Sequence, residues 1–211
     1  MPNAKAEFIY QTLDRCYPDA HCRLHFQSAF QLTCAVMLSA QTTDEAVNRV
    51  TPELFARYPD AAALAAADPR DVEGIIRSIG LYRNKAANLI AMAGRLVSDH
   101  QGQVPSDMAA LTALPGIGRK SADVIRSEWF HIPAIAVDTH VHRVSRRLGI
   151  SGPDDTVAQT EEKLMEAFPQ EQWSRLHHLL IAFGRDRCTS RKPRCGDCPL
   201  ASVCRSKGPL P

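Results

Sequence analysis

The sequence predicts an all-α protein. Apolar residues recur at helical spacing along nearly the whole chain, and no segment alternates apolar and polar residues as a half-buried strand does. With 211 residues and a hydrophobic share of 45%, the chain can bury a real core, as one large domain or two small lobes. No apolar run approaches the roughly 18 residues of a membrane span. The N-terminal residues lack the basic-then-apolar pattern of a signal peptide, so an intracellular protein with no membrane contact is expected.

Residues 5–16 read as a first helix with Phe8, Ile9 and Leu13 on one side, ended by a turn at Tyr17-Pro18-Asp19. Residues 30–40 are apolar around most of the circumference, as suits a core helix. The polar bend that follows, Ser39-Ala40-Gln41-Thr42-Thr43-Asp44, offers Thr43 or Asp44 as the cap of a helix over about 44–57. Two short helices fit residues 60–67 and 69–78. Gly80 then lets the chain turn and leaves Ile79 and Leu81 on a loop, where large apolar side chains either tuck under or meet a partner. Residues 83–100 form a longer amphipathic helix, and a short one runs from about 105 through 114. A helix over 119–130, a helix from Asp138 to about Leu148, an acidic stretch over 152–167 and a helix over 171–183 complete the body.

The chain is organised around residues 114–140. Pro115-Gly116 can stop the preceding helix, and Gly116 and Gly118 permit backbone conformations that expose N–H groups at the start of the next one. Such a nest binds a phosphate, and the unit is a helix-hairpin-helix. Lys120 lies in the first turn beyond Arg119, where the positive end of the macrodipole disfavours the ammonium form and leaves an amine able to act as a nucleophile. Asp138 follows the apolar run Ile135-Ala136-Val137 and precedes Thr139-His140-Val141, the setting of an N-cap carboxylate that the dipole favours. Taken singly, a lysine after a turn can be merely solvated and an aspartate at a helix start merely a cap.

Positive charge is unevenly spread. Residues 1–115 carry 10 lysines and arginines against 12 acids, 116–150 carry 6 against 3, 151–174 carry 1 against 6, and 175–211 carry 8 against 2. A polyanion would therefore dock at the central turn-helix and the C-terminal part. Four of the seven cysteines crowd that part as Cys188-x6-Cys195-x2-Cys198-x5-Cys204. In an intracellular segment poor in apolar residues, this spacing points to a metal centre that closes the loops, zinc or iron–sulfur, with the wide outer loops leaning to 4Fe–4S. The basic loop between the first two thiols, with Arg191, Lys192 and Arg194, suits phosphate contact. Cys16, Cys22 and Cys34 have no such arrangement and read as structural.

LPGIGRK with Lys120, VDTH with Asp138, SAQTTD from Ser39 to Asp44, and the cysteine spacing together resemble the endonuclease III family of helix-hairpin-helix DNA glycosylases and AP lyases. Weaker agreement in IGLYRNKA, HHLLIAFGR and RKPRC extends the likeness over about residues 24–205. The resemblance implies a two-lobed fold. A helical lobe over 22–132 ends in the hairpin, and a second lobe from 1–21 plus 133–211 holds a 4Fe–4S cluster on Cys188, Cys195, Cys198 and Cys204, with substrate in the cleft. It also implies removal of oxidised pyrimidines such as thymine glycol from duplex DNA and β-elimination at the abasic site in base excision repair. Lys120 is then the nucleophile, Asp138 the assisting carboxylate and Asp44 a candidate second carboxylate. Gln41 fills the gap left by the extruded nucleotide, Ile79 and Leu81 form an apolar wedge, and Gly116, Gly118, Arg119, His140, Arg191, Lys192 and Arg194 meet DNA. The expected partner is double-stranded DNA carrying damaged bases or abasic sites. The expected setting is a monomer in the cytoplasm, nucleoid-associated in a prokaryote.

One position departs from the family pattern. Asp123 stands where asparagine is usual, and a carboxylate one turn after Lys120 favours the charged lysine if it faces it, or does nothing if it points to solvent. Two alternatives remain open on sequence. A monofunctional mismatch glycosylase, for adenine or thymine, shares the scaffold, although the adenine branch generally lacks the lysine and carries a further C-terminal domain. A non-catalytic iron–sulfur DNA-binding module would use the hairpin and cluster but leave the Lys120 and Asp138 pair without purpose.

Overall fold

The computed structural model describes residues 4–206, which are helical throughout apart from connecting loops; among them there is no strand. The chain falls into two compact units, Arg23–Ile132 and Met1–Cys22 with Pro133–Pro211.

The first unit is built on α2 (Ala29–Leu38), whose residues from Leu32 to Leu38 are all buried, so its apolar surround has become the centre of a core. Ser28 caps it through its side chain, accepting from the Gln31 N–H. Around α2 pack α3 (Asp44–Arg57), α6 (Tyr82–His100) and α8 (Arg119–Glu128). Two short helices, α4 (Ala61–Ala65) and α5 (Pro69–Ile75), lie on α6, and α7 (Met108–Thr112) lies on α8. Each short helix opens on an aspartate, Asp60, Asp68 or Asp107, that accepts an N–H of its first turn. Leu89, Met92 and Leu96 give α6 a fully buried stripe, each side chain contributing about 1.5–3 kcal/mol relative to exposure.

The second unit joins both ends of the chain. Here α1 (Ala4–Cys16) packs on α11 (Trp173–Asp186), which in turn packs on α9 (Thr139–Leu148), with α10 (Val157–Ala167) against α9. Ile9 and Leu13 of α1 meet Val141, Val144 and Leu148 of α9, Leu164 of α10 and Leu179, Leu180 and Phe183 of α11 in one core. Leu200, from the cysteine-rich segment, is buried in the same cluster, so that segment is anchored by packing as well as by its thiols. Arg175 ties the end of α1 to α11: its Nε donates to Asp14 at 2.9 Å, and its other nitrogens donate to the carbonyls of Tyr17, Pro18 and Ala20.

Candidate active site and metal centre

The hairpin between α7 and α8 is a type II turn. The Ile117 N–H donates to the Leu114 carbonyl at 3.2 Å, proline occupies the second position and Gly116 the third with φ +78°. Leu114 and Ile117 are buried and pin the turn from both sides. The two glycines have different reasons to be there. A Cβ on Gly116 would lie 2.9 Å from Met37 Cε and 3.2 Å from Asn88 Cβ, whereas Gly118 is extended at φ −95° with no atom within 4 Å of such a Cβ. The expectation that both need unusual backbone freedom is therefore corrected: the turn requires only Gly116. Gly118 is the N-cap of α8 and, having no side chain, leaves the first N–H groups of the helix open to an anion. Gly118, Arg119 and Lys120 are all exposed. Asp123, by contrast, is 3% exposed, which removes the reading that it points to solvent.

The bend after α2 is held by a side chain from α6. Ser39 ends the helix, its N–H donating to the Ala35 and Val36 carbonyls, and Thr42 N–H returns to the Ser39 carbonyl at 3.1 Å. Thr43, not Asp44, caps α3, accepting from the Ala46 N–H at 3.2 Å, and Asp44 takes the first helical position. Gln41 is exposed at φ +54°, a left-handed conformation that costs a non-glycine residue about 1–2 kcal/mol. Lys85 is 7% exposed, and its Nζ donates to Leu38 O at 2.8 Å, Ala40 O at 2.7 Å and Thr42 Oγ1 at 2.9 Å, which satisfies all three donors. Burial pushes its pKa down from the ordinary lysine value.

The Ile79-Gly80-Leu81 loop separates two residues expected to act together. Ile79 is 1% exposed and belongs to the core, so its assignment as a DNA-facing wedge is corrected. Leu81 is 60% exposed at φ +61° and caps α6 without a side-chain hydrogen bond. The strain of this loop thus falls on Leu81 rather than Gly80, whose φ is not positive.

In the second unit, Asp138 is the N-cap of α9. A single oxygen, Oδ1, accepts both the His140 and Val141 N–H groups at 2.8 Å, and among the described residues Oδ2 takes no hydrogen bond. One carboxylate can therefore cap the helix and still present an oxygen for chemistry. His140 packs inward on α11: a Cβ on Gly184 would lie 3.0 Å from His140 Cβ, and Arg143 Nη2 approaches His140 Nδ1 at 3.2 Å. Burial lowers the imidazole's pKa, opposed by the Asp138 charge and reinforced by those of Arg143 and Arg185. These contacts favour a helix-supporting role for His140.

Cys188, Cys195, Cys198 and Cys204 line one cavity together with Arg147, Leu148, Phe183 and Arg187. None is paired in a disulfide. The thiol pKa values of Cys198 and Cys204 are raised, by burial first and also by the neighbouring cysteines, a crowding of sulfur that a bound cationic centre relieves. The donor set fits a group held by four thiolates. Arg147 braces the segment: Nη1 donates to Thr189 O at 2.7 Å and Cys188 O at 3.3 Å, and Nη2 to Ser190 O at 3.0 Å, while its own carbonyl accepts from the Arg205 N–H at 3.0 Å. Arg143 Nε donates to Cys188 O at 3.1 Å. Of the basic loop, Arg191 and Lys192 are exposed, but Arg194 Nη2 is paired with Asp186 Oδ1 at 2.5 Å and so is engaged within its own unit.

Lys85, Arg143 and Arg147 were not singled out from the sequence. The available signal was registration: Lys85 continues the buried stripe of Leu89, Met92 and Leu96, and Arg147 lies beside Val144 and Leu148 on the buried side of α9. A cation in phase with an apolar stripe must have partners.

Residues 34–170 match the family described as HhH-GPD superfamily base excision DNA repair protein, and residues 188–204 match the iron-sulfur binding domain of endonuclease III. The chain thus carries a 4Fe–4S cluster. It is 47% identical to endonuclease III of Bacillus subtilis over 94% of this chain and 91% of that one, and 45% identical to that of Escherichia coli K12 over 98% of each. A trapped endonuclease III–DNA covalent intermediate, 46% identical, superposes with a TM-score of 0.91 over 95% of this chain and 94% of that one. A thermostable thymine-DNA glycosylase, 21% identical, shares the fold with a TM-score of 0.88 over 96% of each chain. No helix among the described residues is long and apolar enough to cross a membrane. On sequence and architecture together, the chain belongs to the endonuclease III family of helix-hairpin-helix base excision DNA repair proteins.

Proposed function

We infer that this protein is a bifunctional DNA glycosylase and AP lyase that removes oxidised pyrimidines, such as thymine glycol, from duplex DNA and cuts the strand by β-elimination. One observation carries the reading. A 46%-identical protein forms a trapped covalent intermediate with DNA, and in this chain Lys120 supplies an exposed primary amine in the hairpin motif, one residue past the start of α8.

The target nucleotide must leave the base stack before its sugar can be reached. Lys120 Nζ attacks C1′ of the deoxyribose, and the damaged base departs with the bonding electron pair and takes up a proton. Nζ gives up one proton, the C1′–O4′ bond breaks with O4′ taking up a proton as the ring opens, and a protonated Schiff base forms between Nζ and C1′. The iminium acidifies C2′–H; removal of that proton expels the 3′-phosphate, and hydrolysis returns the lysine. Asp138, through the oxygen not used for capping, stabilises positive charge developing on the sugar and accepts the proton that is released. Asp44 is a second carboxylate for the elimination. The open N–H groups at Gly118, with Arg119, receive a backbone phosphate, Gln41 replaces the extruded nucleotide in the stack, and Leu81 wedges the opposite side. Cys188, Cys195, Cys198 and Cys204 hold the cluster, which closes the loop that presents Arg191 and Lys192 to phosphate.

Borohydride trapping tests this reading. Wild-type protein is expected to form an adduct with a thymine glycol duplex and an abasic duplex but not with undamaged DNA, and Lys120→Ala to form none while retaining DNA binding. An adduct on the abasic duplex alone would keep the lyase and remove the base specificity. No adduct on either would favour a monofunctional glycosylase or a binding module.

A further inference from the structure

We propose that Lys85 is a positioning residue for base extrusion: its ammonium grips the chain on both sides of Gln41 and so sets where that side chain enters the duplex. The inference rests on the reading of Gln41 given above. Its own support lies in the geometry of the bend.

Three features single out Lys85. It lies in register with the buried stripe of α6, where an apolar residue would pack without the desolvation cost of a cation. Its acceptors are not spread over the surroundings but bracket one residue: Ala40 O immediately before Gln41 and Thr42 Oγ1 immediately after, with Leu38 O closing the end of α2. A cation there also meets the negative end of the α2 macrodipole. Finally, the bracketed residue is the one in the left-handed region, a conformation that persists only where neighbours over-determine it. The bend's own hydrogen bonds run from Ser39 N–H back into α2, from Thr42 N–H to Ser39 O and from Thr42 Oγ1 to Ala40 O at 3.3 Å, and the lysine adds the contact that joins Leu38 O, Ala40 O and Thr42 Oγ1 at one ammonium. Without it the bend keeps these short-range bonds but loses this tie between the residues flanking Gln41 and α6.

The test is a double-mutant cycle on the holoenzyme, using Lys85→Met, Gln41→Ala and their combination. Single-turnover excision of thymine glycol from a duplex should fall about 10- to 100-fold in Lys85→Met, the scale of a misplacement near 1 Å. In the Gln41→Ala background the same change should cost less than about twofold, because a positioning residue has nothing left to position. β-Elimination of a single-stranded abasic oligonucleotide, which leaves no stacking gap to fill, should stay within about twofold of wild type in Lys85→Met, a readout that general damage to the fold would move. Thr42→Val removes one acceptor from the other side and should show the same pattern at about three- to tenfold; it decides the matter if Lys85→Met does not fold. Equal loss on both substrates, additive loss with Gln41→Ala, or wild-type duplex activity in Lys85→Met or Thr42→Val would overturn the proposal. If Gln41→Ala alone costs nothing on the duplex, the reading of Gln41 falls and this proposal with it; if Gln41→Ala is impaired and Lys85→Met is not, only the role of Lys85 falls.

Discussion

Replacing Gly116 with alanine separates the conformational demand of the hairpin turn from its chemistry. At φ +78°, an alanine in the left-handed region costs about 1–2 kcal/mol. Its Cβ would lie 2.9 Å from Met37 Cε, the mobile end of a side chain that can move aside, but 3.2 Å from Asn88 Cβ, which is fixed to α6. That second contact adds overpacking of about 1–3 kcal/mol, offset by about 0.4–1 kcal/mol from the stiffer unfolded chain. A net loss of about 1–5 kcal/mol follows, which at about 2–4 °C per kcal/mol lowers the thermal midpoint by roughly 2–20 °C. Gly118→Ala is the paired control. With extended backbone and no atom within 4 Å of the added Cβ, it should change stability by less than about 0.5 kcal/mol. Its methyl group instead occupies the open N-terminus of α8, so it should weaken duplex binding and flatten its salt dependence. Circular dichroism melts on cluster-matched holoprotein, with fluorescence anisotropy titrations at several salt concentrations, read both effects. A Gly116→Ala midpoint equal to wild type, or a Gly118→Ala midpoint lowered as far as that of Gly116→Ala, would refute the division of labour.

Asp138→Asn should keep the cap, since an amide oxygen still accepts from His140 and Val141, whereas Asp138→Ala should lose about 0.5–2 kcal/mol; both should lose base excision, and activity in the asparagine variant would end the catalytic assignment. Arg147→Met removes the donors to Cys188, Thr189 and Ser190 carbonyls, so visible absorbance should bleach about 10- to 100-fold faster under a chelator, given the worth of charged hydrogen bonds. Asp155, held below the usual carboxylate range by hydrogen bonds from Lys163 and the Gly152 N–H, stabilises the fold above its unfolded pKa and loses that contribution as pH falls through its folded value. Asp155→Asn should therefore narrow the gap between thermal midpoints at neutral and acid pH, and an unchanged gap would remove the linkage.

Much of the fold was legible because its signals are local. A cap acts across three residues, so Thr43 and Asp138 announce their helices from immediate neighbours. The buried run of α2, the Pro-Gly turn and the close spacing of four cysteines are likewise properties of short stretches. Lys120 and Asp138 were found in that way, from their places at helix starts. The rest depends on partners far along the chain. Nothing near Ile79 and Leu81 distinguishes the side chain that enters the core from the one left 60% exposed, since both are apolar and adjacent to the same glycine. Whether Gly116 or Gly118 needs its missing Cβ depends on Met37 and Asn88. The pairing of Arg194 with Asp186 depends on the path of the cysteine loop, and Asp123 is buried by packing rather than by its own neighbours. Lys85 meets acceptors more than forty residues earlier in the chain, a contact with no signature in sequence beyond a lysine in phase with leucines. Short-range sterics and capping are written in consecutive residues and determined the helices, the hairpin and the cysteine centre. Desolvation and pairing are set by whatever surface the fold brings alongside, and only the tertiary structure decided which charges are buried and what they hold.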